Sequence, residues 1–116
     1  MTTPWQTTIS RGEFVAAHPN PREQPNANWG HQTLRLKPNG HFELWNSRFP
    51  GQPGGLGTYS VHGNEITYLP TGTVSMGAGE TWRYTWNRYR DTLTFKRVGK
   101  GASPTGFVVK AWHLVR

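Results

Sequence analysis

The stretch that decides the fold is ETWRYTWNRYRDTLTFK, residues 80–96. Its first half alternates large aromatic side chains, at Trp82, Tyr84 and Trp86, with polar ones. This is the two-residue period of a strand with one buried face. A polar turn separates that run from a second alternating run at 92–96. The stretch therefore predicts an antiparallel hairpin whose aromatic side chains share one face.

The same alternation of short runs and turns extends over most of the chain. Pro38-Asn39-Gly40 separates two such runs, and Asn-Gly favours a tight turn because it tolerates a positive φ. Strands at short, regular spacing favour an antiparallel barrel or sandwich and count against βαβ units. The predicted strands are 33–37, 41–45, 57–61, 65–69, 80–87, 92–96 and 107–112, with an eighth near 5–9 or 73–76.

One short helix is predicted near residues 10–17. Ser10 and Glu13 have the S-x-x-E spacing of a capping box, apolar Phe14 follows, and prolines end the helix soon afterwards. We expect this helix and the loop through Trp29 to close one mouth of a barrel. Segments rich in Pro, Gly and Asn predict irregular loops at 20–28, 49–55 and 70–79.

The hairpin GTYSVHGNEIT, residues 57–67, carries a family resemblance. It matches the pattern G-x-Y-x-V-x-G-[DN]-x-[IV]-x of small bacterial lipocalin-like (calycin-type) domains. The stretch 82–95 is similar to the next hairpin of such domains, and Lys110-Ala111-Trp112 is similar to their close. The Gly-x-Trp signature of true lipocalins is not present near the first strand, so the resemblance is to the looser class.

The resemblance spans roughly residues 34–112. It implies an all-β fold, namely a small antiparallel up-and-down β-barrel of about 7–8 strands with one short N-terminal helix. It also implies a lumen that binds or transforms apolar small molecules. The length of 116 residues suits a single domain over 1–116, with the barrel from about 31–115.

The amino-acid sequence excludes several kinds of functional site and of targeting segment. The chain has no cysteine, which excludes disulfides and thiolate chemistry. No signal peptide is visible and no apolar run approaches the length of a membrane helix. We therefore expect a cytoplasmic protein without a membrane partner, although a secreted protein that had lost its leader would look the same.

If the strands close into a barrel, alternate side chains face the interior. Tyr59, Tyr68 and Tyr84 are of particular interest there, because a buried phenol needs a hydrogen-bond partner. A ligand carbonyl and a neighbouring backbone group are both candidate partners. The predicted inward set is Leu34, Leu36, Phe42, Leu44, Tyr59, Val61, Ile66, Tyr68, Trp82, Tyr84, Trp86, Leu93, Phe95, Phe107 and Val109. The predicted ligand-binding residues are Trp82, Tyr84, Trp86, Tyr59, Tyr68, Phe42 and Phe95.

Residues for catalysis are not identified by any motif. The five histidines are dispersed without metal-ligand spacing, carboxylates are scarce, and no serine lies in a nucleophile elbow. We therefore expect no metal and no cofactor. The leading hypothesis is a barrel that binds an apolar or aromatic small molecule, either as a carrier or as a cofactor-free cyclase or isomerase of a natural-product-like substrate.

The formal charge of +7 leaves an alternative open. A basic β-barrel could bind single-stranded nucleic acid or another acidic partner, with alternating aromatic and arginine residues at 82–90 as a stacking platform. Strand alternation counts against this hypothesis, because Trp82 and Arg83 would lie on opposite faces. The basic residues are also scattered along the chain, which is equally typical of a protein that is merely basic.

Overall fold

Eight strands and one helix form in the part of the chain that the computed structural model describes, residues 4–17, 29–49, 51, 53, 55–71, 81–98 and 107–115. Each strand pairs antiparallel with the next, and the last pairs with the first, so the sheet closes into a barrel. The predicted all-β up-and-down barrel is confirmed. The elements are β1 (Trp5–Ile9), α1 (Arg11–Ala16), β2 (Gly30–Leu36), β3 (His41–Asn46), β4 (Gly55–His62), β5 (Glu65–Pro70), β6 (Trp82–Tyr89), β7 (Thr92–Arg97) and β8 (Trp112–Leu114).

The up-and-down topology gives the barrel two different ends. The three tight turns, β2–β3, β4–β5 and β6–β7, all lie at one end, here called the turn end. Positive φ angles at Gly40 (+86°), Gly63 (+60°) and Arg90 (+56°) make these turns tight. Helix α1 follows β1 at the opposite end, here called the loop end.

Helix α1 begins with the predicted capping box. The Ser10 hydroxyl oxygen accepts from the Glu13 amide at 3.0 Å, and the Ser10 amide donates to Glu13 Oε1 at 2.9 Å. Phe14 is the buried residue of the helix. Glu13 also pairs with Lys110 Nζ at 2.8 Å, which ties α1 to the segment before β8.

Most of the predicted inward set is buried, and the outward residues Arg35, Arg83 and Lys96 are exposed. Val61 is the exception: it pairs with buried Ile66 across β4 and β5, yet its own side chain lies near the β4–β5 turn and is 38% exposed. Four fully buried side chains were missing from the predicted inward set: Trp5, Ile9, Phe14 and Trp112.

The predicted strand at 107–112 is wrong. Residues 107–111 form turns and bends, and the last strand is only Trp112–Leu114. The indole Nε1 of Trp112 donates to the carbonyl oxygen of Phe107 at 3.1 Å, which closes this segment on itself in place of a strand ladder. We call residues 107–111 the plug segment.

The uncertain eighth strand is β1 at Trp5–Ile9, so the barrel begins well before residue 31. The alternative at 73–76 and the predicted loops at 20–28 and 72–79 lie outside the described residues. Helix α1 is far too short to cross a membrane, and the described residues include no other helix.

Candidate functional site

Seven aromatic rings meet inside the barrel and form what we call the aromatic cluster. Strands β3, β5, β6, β7 and β8 and the plug segment each contribute to it. Neighbouring ring centroids lie 4.9 to 6.4 Å apart, the range in which aromatic pairs attract one another. The members are Phe42, Tyr68, Trp82, Tyr84, Phe95, Phe107 and Trp112.

Strand register brings these rings together. Tyr68 lies opposite Trp82 across β5 and β6, and Ile66 lies opposite Tyr84. Gly57 on β4 permits close approach of β5, because an added Cβ would overlap the Leu69 carbonyl oxygen and lie 2.9 Å from the Pro70 Cα. The wall that carries Tyr68 therefore depends on a glycine.

Phe107 occupies the centre of the aromatic cluster. Its ring centroid lies 5.0 Å from that of Tyr84, 5.1 Å from Tyr68 and 5.6 Å from Trp112. It also contacts the Phe95 and Trp82 rings. Phe107 is fully buried although it comes from the plug segment and not from a strand.

The two tyrosines that face each other across β4 and β5 have different hydrogen bonding. The Tyr59 hydroxyl donates to the Lys37 carbonyl oxygen at 2.7 Å, at the turn end. The Tyr68 side chain is 0% exposed, and its hydroxyl has no hydrogen-bond partner among the described residues. Burial raises the pKa of the Tyr68 phenol well above its usual value, with a smaller contribution from Tyr59, so the hydroxyl stays protonated.

The indole groups differ in the same way. Trp112 Nε1 has its partner on Phe107, whereas within the described chain Trp82 Nε1 is buried without one. The same is true of Nε1 of Trp5, Trp29 and Trp86. The aromatic cluster thus holds two unpartnered donors, the Tyr68 hydroxyl and Trp82 Nε1.

Of the seven residues that the sequence predicted for ligand binding, five belong to the aromatic cluster: Phe42, Tyr68, Trp82, Tyr84 and Phe95. Tyr59 and Trp86 are half-buried and pack against its edge. The sequence did not predict the central position of Phe107 or the burial of Trp112. The apolar run 107–109 was a signal of burial, but not of a turn that directs Phe107 inward.

A second part of the interior is polar. Thr7, Gln32 and Asn46 lie side by side in the register of β1, β2 and β3, and all three are buried near the loop end. The Thr7 hydroxyl donates to the Ala111 carbonyl oxygen at 3.0 Å, and Asn46 Nδ2 donates to the Trp29 carbonyl oxygen at 2.7 Å. This polar row fastens the loop-end connections to the wall.

Charged groups lie outside the core. No Asp, Glu, Lys or Arg of the described ranges is buried, and no three acidic or histidine side chains there are placed to hold a metal ion. Hydrogen bonding from Lys110 and from the Ser10 amide lowers the pKa of Glu13 to about 2. Lys37 and Trp45 lower the pKa of Glu43. Both carboxylates are therefore ionised near neutral pH and offer no proton to the lumen.

The outer wall carries a groove of about 470 Å³ along β1 and the plug segment. It is lined mainly by polar side chains, among them Gln6, Thr8 and His31. Thr8 Oγ1 and His31 Nδ1 lie 2.9 Å apart and hydrogen-bond each other, and Lys110 is engaged by Glu13. The groove is separate from the aromatic cluster, and its polar groups largely bond within the protein.

No protein-family model, no curated protein and no solved structure matches this chain. The closed eight-stranded antiparallel barrel is consistent with a calycin-type fold. Its interior aromatic cluster is compatible with an apolar ligand.

Proposed function

We propose that this barrel binds an apolar or aromatic small molecule in its lumen, in the space that the Phe107 ring occupies. The observation that carries the proposal is the position of Phe107. Its ring lies among five other aromatic rings, yet it is supplied by a segment without strand pairing. A strand residue could leave the core only by breaking the sheet. We expect Phe107 to turn outward with the barrel closed, because this requires loss of the side-chain bond from Trp112 and of no strand pairing.

An aromatic ligand would exchange one set of contacts for a similar one. Aromatic pairs contribute about 0.5–1.5 kcal/mol each beyond the area they bury. A ligand ring in place of Phe107 would meet Tyr68, Tyr84 and Trp112, so the loss of the Phe107 contacts is largely offset. The exchange favours a ligand larger than a phenyl ring, which would gain contacts that Phe107 does not make.

The same site serves a carrier or an enzyme. An interior without charged side chains among the described residues suits a neutral ligand. A cofactor-free cyclase or isomerase would hold a reactive substrate against shaped aromatic walls, with a phenol polarising a carbonyl group. Carrier and enzyme differ in whether the ligand leaves chemically changed, which product analysis after binding would decide.

The test is a tryptophan-fluorescence titration with polycyclic aromatic compounds, at low and high salt. We expect saturable quenching, because Trp82 and Trp112 line the site. The quenching should not depend on salt, because no charged side chain of the described residues is buried there. Phe107→Ala removes the competing ring and should tighten binding by about tenfold or more. Phe14→Ala is the matched control, since Phe14 is equally buried but lies outside the aromatic cluster. A lack of response from both the wild type and Phe107→Ala would contradict the proposal.

The basic-surface alternative is supported by the β6–β7 turn. There the Tyr89 ring is 70% exposed, and the guanidinium of Arg90 lies 5.4 Å from its centroid. At the start of β6, however, Trp82 points inward, and Arg83 points outward and donates to Glu65 at 2.9 Å. Binding of single-stranded nucleic acid would fall steeply with salt. A steep salt dependence in a titration with an oligonucleotide would favour this alternative over the lumen.

A further inference from the structure

Among the described residues, Tyr68 carries the one hydroxyl that is buried without a hydrogen-bond partner; the other four such atoms are indole nitrogens. Removing a phenol from water without a compensating hydrogen bond is unfavourable. Two other buried donors have an acceptor, since Thr7 bonds Ala111 and Trp112 bonds Phe107, whereas four indole nitrogens, Trp82 Nε1 among them, have none within the described residues. Tyr68 is placed in the middle of the aromatic cluster, where Phe42, Tyr84 and Phe107 are its neighbours and none offers a side-chain acceptor at hydrogen-bond distance.

The two unpartnered donors of the aromatic cluster, the Tyr68 hydroxyl and Trp82 Nε1, restrict the chemistry of a ligand that could bind beside them. A protonated phenol and an indole N–H both offer hydrogens, and the indole can only donate. The ring centroids of Tyr68 and Trp82 lie 6.4 Å apart, so one small group can lie near both side chains. An anionic acceptor would be buried without a counter-charge, which is costly in an apolar interior. A neutral acceptor with two lone pairs, such as a carbonyl oxygen, avoids that cost.

The orientation of the Phe107 ring indicates the shape of a ligand that could replace it. Its ring plane makes similar angles of 38°, 35° and 36° with the rings of Tyr68, Tyr84 and Trp112. Phe107 is thus nearer to parallel than to perpendicular with these three rings, and it lies nearly perpendicular to the Phe95 ring, at 85°. Because a flat aromatic ring already fills this space, a flat aromatic molecule matches it better than a bulky aliphatic one.

We propose that the lumen selects neutral, flat aromatic carbonyl compounds, such as aryl ketones, and that the Tyr68 hydroxyl donates a hydrogen bond to the carbonyl oxygen. Trp82 Nε1 lies in the same cluster as the second donor for that oxygen. This inference rests on the proposed lumen function and makes it specific: the aromatic body takes the place of Phe107, and the carbonyl satisfies Tyr68. A site built to donate to an oxygen discriminates against an analogue that lacks it.

The experiment compares fluorenone with fluorene, two flat molecules of nearly the same shape that differ in one carbonyl group. Calorimetric titration of the wild-type protein should give about tenfold tighter binding of fluorenone, the contribution of one net hydrogen bond. Tyr68→Phe should reduce the preference to near unity and leave fluorene binding unchanged. Tyr59→Phe is the control, because that hydroxyl is already bonded to the Lys37 carbonyl oxygen; it should keep the preference.

An infrared measurement tests the hydrogen bond itself. The carbonyl stretch of bound fluorenone should shift to lower frequency in the wild type and in Tyr59→Phe, and return towards its value in apolar solvent in Tyr68→Phe. Equal affinities for fluorene and fluorenone would overturn the selectivity and leave the apolar lumen site standing. If neither compound binds the wild type or Phe107→Ala, the lumen function and this inference both fail. Tyr68→Phe removes only an unpartnered hydroxyl, so the variant is expected to fold.

Discussion

The polar row and the aromatic cluster are two parts of one interior that differ in the hydrogen bonding of their buried side-chain donors. In the polar row, Thr7 and Asn46 donate to backbone carbonyls of the plug segment and of Trp29. In the aromatic cluster, the donors of Tyr68 and Trp82 have no partner among the described residues. Buried polar groups are ordinarily paired. Nε1 of Trp5, Trp29 and Trp86 is also buried without a partner in the described chain, but the donors of Tyr68 and Trp82 belong to rings only 6.4 Å apart, so one external group could meet both. We infer that the polar row stabilises the barrel and that the aromatic cluster is where a ligand would bind.

The largest expected effect comes from removing the central ring of the aromatic cluster. Phe107→Ala should lower the free energy of unfolding by about 3–5 kcal/mol, because a large apolar side chain is lost and a cavity remains. Benzene should restore part of that stability, since apolar cavities of this kind take up small aromatic molecules. Urea unfolding with and without benzene measures both effects.

Phe14→Ala is again the control, because it separates the loss of a buried phenyl ring from the formation of a cavity that benzene can enter. Its truncation should also be costly, but benzene should restore nothing if the space under α1 collapses or opens to solvent. If benzene restored the stability of Phe14→Ala but not that of Phe107→Ala, the accessible cavity would lie outside the aromatic cluster. That outcome would contradict the assignment of the binding site to the cluster.

A smaller effect is expected in the polar row. Asn46→Ala removes the donor to the Trp29 carbonyl oxygen and the acceptor for the Arg48 amide, which lies 3.0 Å from Asn46 Oδ1. Leaving such groups unsatisfied should cost about 1–3 kcal/mol. Urea unfolding should show the loss, and binding of polycyclic compounds should be unchanged. A large loss of binding in Asn46→Ala would mean that the polar row belongs to the site.

The two facing tyrosines sharpen the comparison at the level of a single hydroxyl. Tyr59→Phe breaks the bond to the Lys37 carbonyl oxygen and should cost about 1 kcal/mol. Tyr68→Phe removes an unpartnered buried hydroxyl and should be neutral or slightly stabilising in the absence of ligand. Thermal unfolding of both variants gives the contrast directly. Strong destabilisation by Tyr68→Phe would show that its hydroxyl has a structural partner.

These outcomes bear on how far the sequence could predict the molecule. The hairpins and the capping box were predictable because their signals are local: a two-residue period at 80–87, an Asn-Gly turn, and Ser10 three residues before Glu13. The burial of most of the cluster followed from the same period. Local pattern therefore fixed which face of each strand is apolar.

The role of the plug segment was not predictable in the same way. The apolar run at 107–109 has the composition of a strand, and what makes it a turn is a contact from Trp112 and the space between Tyr68 and Tyr84. The contrast between Tyr59 and Tyr68 is likewise tertiary, since both point inward and only one meets the Lys37 carbonyl oxygen. Partners of this kind are set by the closed barrel and leave no trace in a single strand.

The smallest expected effect concerns pH and the contact between α1 and the plug segment. Glu13 has its pKa lowered from 4.5 to about 2 by its bonds to Lys110 and Ser10. A lowered pKa means that the ionised form is stabilised by folding. This contribution is complete above about pH 4.5 and is lost as the pH falls through about 2. Thermal unfolding followed from pH 6 down to about pH 2 should therefore show a decline that Glu13→Gln makes shallower.

The same pair connects α1 to the plug segment, because Lys110 belongs to the segment that carries Phe107. If the contact with α1 holds this segment inward, Glu13→Gln at neutral pH should favour release of Phe107 and tighten binding of polycyclic compounds modestly, by less than Phe107→Ala does. The exposed position of the pair keeps the effect small, since solvent and salt screen it. An unchanged affinity in Glu13→Gln, together with a clear gain in Phe107→Ala, would mean that the ring of Phe107 alone controls access and that α1 merely covers the wall beside it.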